Sequence, residues 1–229
     1  MKRRYKLLLI ITFGALLTII INHFSVASKI SFVALGDGLS LGVTPYSLVG
    51  PSYNDYLKDN LIENNKLENY NFDFCLKHFK LDEINIMLEK NYVGKSKQKP
   101  IKQILASADL ITIAFGEDEL ADISLKTKIT KEYIDNFITS YELLLNNIRS
   151  FNDKQIIIVG LYPAFNMDKN TVITINEQLS KLAVKYKTNF LDILPVSLNN
   201  SYYLQSTSYY MSYKAHQVIA NLIEKELMN

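Results

Sequence analysis

Apolar residues in this chain fall into two alternating kinds of run. Short continuous runs bounded by glycine or polar residues have the form of strands buried on both faces. Ile30 to Leu35, Leu110 to Phe115 and Gln155 to Gly160 are of this kind. Asn69 to Leu76 mixes aromatic and polar positions and reads as a further strand, and Asn189 to Ile193 as a short one. Between them, apolar positions recur at helical spacing. Helices are predicted over Tyr56 to Glu63, Leu81 to Lys90, Ile101 to Ala108, Lys131 to Phe151, Thr171 to Tyr186 and Ser212 to Met228. Tyr133, Phe137, Tyr141, Leu144 and Ile148 share one face of the fourth of these; Ile175, Leu179, Leu182 and Ala183 share one face of the fifth. Val43 to Tyr53, rich in Gly, Pro, Ser and Tyr, reads as a loop, and the Lys-rich Asn91 to Pro100 as a solvated connection.

Strand and helix thus alternate about five times, the pattern of a parallel sheet covered on both faces. With right-handed crossovers this is a three-layer αβα sandwich. No linker divides it, so Lys29 to Asn229 is expected to be one domain.

The start of the chain differs. Lys2, Arg3, Arg4 and Lys6 precede the apolar run Leu7 to Ile21, and small residues follow at Val26-Ala27-Ser28. Residues 1–28 therefore read as a secretory signal peptide cut near Ser28, with an uncleaved N-terminal anchor as the alternative. Either places the domain outside the cytoplasm, touching a membrane only through this segment. Removing those four from the 25 basic residues leaves 21 against 23 acidic, a net charge of −2. Beyond the N-terminus the only arginine is Arg149. Such a domain is not a nucleic-acid binder. Cys75 is the only cysteine, sits among apolar residues, and reads as a buried inert thiol.

The candidate chemistry begins where the first strand ends, at Gly36-Asp37-Gly38-Leu39-Ser40-Leu41-Gly42. Glycines at the carboxyl end of a buried parallel strand expose backbone N–H groups where such sheets build their sites. This turn resembles the first block of the SGNH/GDSL serine esterases and lipases, Gly-Asp-Ser-Leu then Gly. The resemblance continues through Asp109-Leu110-Ile111-Thr112-Ile113 into Gly116-Glu117-Asp118-Glu119-Leu120, through Val159-Gly160-Leu161-Tyr162-Pro163, and through Phe190-Leu191-Asp192-Ile193 to Lys214-Ala215-His216-Gln217. It implies the family's flavodoxin-like αβα sandwich with a sheet of about five strands. It also implies a site built from a nucleophilic serine, an Asp-x-x-His pair, and oxyanion donors from a glycine N–H and an asparagine.

At those positions this chain differs. Gly38 stands for the serine, Asp118 for the asparagine, His78 (with Lys77) for the glycine, and Thr207 and Tyr210 for the Asp-x-x-His pair. Glycine has no side chain to attack with, and a tyrosine of ordinary pKa, about 10, is a poor base at neutral pH. The resemblance therefore implies a domain silent or weak in catalysis, with a cleft for a cell-envelope glycan or an acyl-ester ligand. The alternative is an active carboxylic ester hydrolase with a rearranged site, using Ser40, Asp37 or an acid-and-tyrosine set. Ser40 otherwise reads as a first-turn helix residue, His216 as a structural histidine and His78 as a surface one. Glu117-Asp118-Glu119, with Asp37 expected nearby, reads as a solvated acidic loop capping the next helix, the alternative being crowded acids that shift one another's pKa or bind a hard cation. Tyr202, Tyr203, Tyr209, Tyr210 and Tyr213 cluster near the missing base, where aromatics pack or line a ligand pocket. No ligand spacing for a metal or cofactor is present, and none is expected.

Overall fold

A computed structural model describes residues 29–96, 99–163, 167–202 and 210–228. The signal or anchor reading of residues 1–28 lies outside the described residues. Five strands among the described residues form one sheet: β1 (Ile30–Gly36), β2 (Leu67–Cys75), β3 (Leu110–Ala114), β4 (Gln155–Val159) and β5 (Asn189–Leu191). They run parallel in the order β2-β1-β3-β4-β5. The expected αβα sandwich is therefore present, with the expected strand count.

The helices are α1 (Gly38–Leu41), α2 (Tyr53–Glu63), α3 (Leu81–Glu89), α4 (Ile101–Ala106), α5 (Glu117–Ser124), α6 (Lys131–Arg149), α7 (Lys169–Lys185), α8 (Leu194–Ser197) and α9 (Tyr213–Met228). Among the described residues no helix is long and apolar enough to cross a membrane.

Strand side chains alternate between faces, so each buried run feeds two cores. Val33, Leu35, Ile111, Ile113, Ile156 and Ile158 pack beneath α3, α4, α6 and α7. Phe32, Ala34, Leu110, Ala114, Ile157 and Val159 pack beneath α2 and α9 through Tyr53, Leu57, Ala215, Ile219 and Ile223. Covering both faces is what allows these strands to lack polar alternation.

Two of the departures from the sequence reading bear on the site. α2 begins at Tyr53, three residues before the expected Tyr56, because Ser52 and Asp55 form a capping box: the Asp55 N–H donates to Ser52 Oγ (3.2 Å) and the Ser52 N–H to Asp55 Oδ2 (2.9 Å). Glu117-Asp118-Glu119 is not a solvated loop. It is the first turn of α5, and Glu117 and Asp118 are fully buried. Gly116, in the left-handed region at φ +111°, turns the chain sharply from β3 into that helix, and a β-carbon there would lie 2.5 Å from the Phe137 ring.

From β1 the winding proceeds outward to β2, and from β3 in the opposite direction to β4 and β5. The carboxyl ends of β1 and β3 therefore flank the switch point, where open parallel sheets place their sites.

Candidate functional site

Three turns meet at that switch point. The first follows β1. Asp37 is fully buried and binds it to the β3–α5 turn. Its Oδ1 accepts the Leu39 N–H (3.2 Å), and its Oδ2 accepts the N–H groups of Gly116 (2.9 Å) and Asp118 (3.2 Å). Burial, and then the neighbouring Asp118 charge, push the Asp37 carboxyl well above the usual carboxylate range.

The second turn follows β2. His78 has φ +57°, a conformation in which glycine is unstrained and a β-carbon is not. Its ring points outward, half exposed, with Nδ1 3.5 Å from Asp122 Oδ2. Its contribution to the site is the backbone: the His78 N–H donates to Asp118 Oδ2 at 2.7 Å. The third segment precedes α9 and delivers Tyr210, which is buried and donates its hydroxyl to Asp118 Oδ1 at 3.1 Å.

Asp118 is the point of convergence. The Gly38 N–H adds a further donor to its Oδ2 at 3.0 Å. One buried carboxylate thus receives donors from the turn after β1, the turn after β2 and the segment before α9. Two N–H groups at 2.7 and 3.0 Å from one oxygen are spaced as the donors of an oxyanion hole are. Here the oxygen belongs to the protein. A β-carbon placed on Gly38 would lie 2.7 and 2.8 Å from the two Asp118 oxygens and 3.0 Å from Tyr210 Cε1. The space a nucleophile would need is filled.

Glu117, one residue earlier, points into the core. Its Oε2 accepts the Tyr162 N–H (3.2 Å), while its Oε1 has no hydrogen-bond partner among the described residues. Burial dominates in raising its pKa well above the ordinary value, and the charges of Asp37 and Asp118 add to it. Glu119 turns away and accepts the Tyr133 hydroxyl (2.6 Å).

Gly38, His78, Asp118 and Tyr210, distant in sequence, are therefore brought together, with Asp37 one hydrogen bond away. Thr207 lies outside the described residues, as do Tyr203 and Tyr209. Ser40 is elsewhere. It is buried beneath the turn, with Oγ 2.9 Å from the Tyr53 hydroxyl and 3.3 Å from the Leu35 carbonyl. His216, also buried, accepts the Tyr53 N–H at Nδ1 (3.1 Å), and burial lowers its pKa to about 4. Cys75 is buried, and its thiol is pushed up by that burial. Tyr213 is exposed, and Tyr202 has the Lys214 ammonium 5.9 Å from its ring centre. Sequence reasoning missed two features: the burial of Glu117, and the role of His78 as a backbone donor. The apolar flanks Phe115 and Leu120 hinted at the first; nothing local signalled the second.

No family model matches the chain, and no curated protein matches it by sequence. Solved structures do match. A lipase from a goat rumen metagenome superposes with a TM-score of 0.69 at 20% identity, covering 85% of this chain and 95% of that one. An acetylxylan esterase from Geobacillus stearothermophilus gives 0.67 at 15% identity over 88% and 95%. A lipase/acylhydrolase from Enterococcus faecalis gives 0.64 at 16% over 86% and 94%. The chain has the SGNH/GDSL-hydrolase fold. At such identities the likeness establishes the SGNH fold alone, and the chemistry rests on the residues present.

Proposed function

We propose that this chain is an extracytoplasmic SGNH-fold domain without ester-hydrolase turnover, and that it binds a cell-envelope glycan or an acyl-ester ligand. One observation carries the reading: the carboxylate of Asp118 and the ring of Tyr210 occupy the space that a side chain at position 38 would need. A nucleophile cannot be accommodated there without displacing both. Ser40, the nearest hydroxyl along the turn, is buried and engaged with Tyr53, and the described histidines do not reach it by hydrogen bond. The basic start and apolar run of residues 1–28 support export or anchoring. The ligand class follows from the fold's relatives, whose names are those of lipases and of an acetylxylan esterase.

Turnover of short-chain aryl esters by the purified full chain tests this, with Ser40→Ala beside it. The expected rate is that of a heat-denatured control. A clear rate abolished by Ser40→Ala would overturn the reading and make the protein a hydrolase whose serine has moved along the turn. Binding is then measured against acetylated xylan fragments and short acyl esters by calorimetry.

A further inference from the structure

The hydrogen bonds of Asp118 run in an unusual direction. An acid in the first turn of a helix ordinarily serves the N–H groups of that helix. The three described above run instead to Gly38, His78 and Tyr210, on three other segments. The donors are matched to a planar group with two oxygens. Two N–H groups address one oxygen and a hydroxyl addresses the other. An amide has one oxygen, and the second, alkoxy oxygen of an ester is a weak uncharged acceptor, so either neutral group would use this set poorly; a carboxylate offers two equivalent oxygens and gains charge-assisted bonds.

We infer that the Gly38 N–H, His78 N–H and Tyr210 O–H form a carboxylate-binding site whose resident is the side chain of Asp118. The ligand class is a small monocarboxylate, or the carboxylate end of a larger molecule, which is the acid product of ester cleavage rather than its substrate. In the native chain the resident is tethered, and the effective concentration of a tethered group far exceeds that of free carboxylate. The site is therefore closed to external acids until Asp118 is removed. The inference deepens the non-hydrolytic reading and rests on it. It is read through binding rather than turnover, so either can fail alone.

The test is chemical rescue of Asp118→Ala in the full chain, held in a non-ionic detergent. Thermal unfolding is followed with increasing sodium formate, with formamide as the neutral isostere and sodium chloride at matched ionic strength. Formate is expected to raise the melting temperature of Asp118→Ala saturably. At ten times its Kd it should multiply the folded-to-unfolded ratio about elevenfold. Chloride and formamide should not do so, wild type should not respond, and Tyr210→Phe in the same background should weaken the response. A purely structural Asp118 would produce no formate-specific rescue. A folded Asp118→Ala that ignores formate, or that responds equally to chloride, overturns the inference. If the variant folds only in formate, the site is supported. If it folds in neither salt, amide exchange in the wild type decides: protected Gly38 and His78 protons support the site, and solvent-rate exchange at His78 sinks it.

Discussion

The middle of the sheet and its carboxyl edge are built from opposite materials. Midway along β1, β3 and β4 the buried side chains are almost all aliphatic or aromatic, and Thr112 is the exception, bonded through Oγ1 to Asn54 Oδ1 (2.7 Å). A few residues further on, the same strands end among three buried acids, Asp37, Glu117 and Asp118. Apolar packing tolerates any partner of the right volume. Buried carboxylates tolerate only specific donors, because an unmatched one carries its full desolvation cost. Neighbouring Asp118 and Glu117 mark the contrast within the edge. Asp118 holds three turns together through its hydrogen bonds, whereas Glu117 keeps one oxygen without a hydrogen-bond partner among the described residues.

The largest effects should come from removing one representative of each region. Ile158→Ala leaves a cavity in the middle of the sheet and should cost about 2–5 kcal/mol. Asp118→Ala orphans buried donors at the edge and should cost about 3 kcal/mol or more. Urea unfolding would give both values, and the comparison is sharpened because formate is expected to restore only the second. Equal responses to formate would erase the distinction.

Stability should also depend on pH in two opposing directions. His216 has a folded pKa of about 4, below its unfolded value of 6.5. Its contribution is present above 6.5 and is lost as pH falls through about 4, amounting to roughly 3 kcal/mol for this fully buried ring. His216→Gln should flatten that acid limb of stability. Glu117 lies the other way. Its folded pKa is raised above the unfolded value, so its contribution is present at acid pH and is lost as pH rises through the raised value. Glu117→Gln should reduce the loss of stability toward alkaline pH, as followed by denaturant midpoint against pH. An unchanged slope in that variant would mean that Glu117 is not the titrating group.

Gly38→Ser should not create an esterase. Its β-carbon meets the Asp118 oxygens, so the expected result is destabilisation of about 1–3 kcal/mol with no ester turnover. Combined with Asp118→Ala, the cost of the serine should shrink, and additive costs would show that the two positions do not compete for space. The smallest effect is expected at His78→Gly. Relief of the left-handed β-carbon should leave the protein unchanged or up to about 1 kcal/mol more stable, since the N–H that serves Asp118 is retained.

Much of this architecture was legible in the chain. The runs Ile30 to Leu35, Leu110 to Phe115 and Gln155 to Gly160 became β1, β3 and β4 within a residue, because a continuous apolar run of that length has few alternatives to a doubly covered strand. The start of α2 departs from the apolar periodicity because a local signal, the Ser52–Asp55 box, sets it inside a stretch dominated by Gly, Pro and Tyr. The acids after Gly116 read as solvent-exposed because charges run together are usually exposed. Nothing in Glu117-Asp118-Glu119 itself says that partners for the middle residue wait on three other segments.

Sequence by itself determined the layers, the succession of five strands and six of the helices along the chain, and the positions that would compete for the switch point, since these depend on periodicity and on glycines at strand ends. Only the tertiary structure decided what those positions do. A backbone N–H has no letter in the sequence, and the donors of Gly38 and His78 acquire a direction only when β1 and β2 end side by side. Whether a carboxylate there faces water, a ligand or its own chain depends on distances of about 3 Å between segments far apart in sequence, which no local pattern encodes.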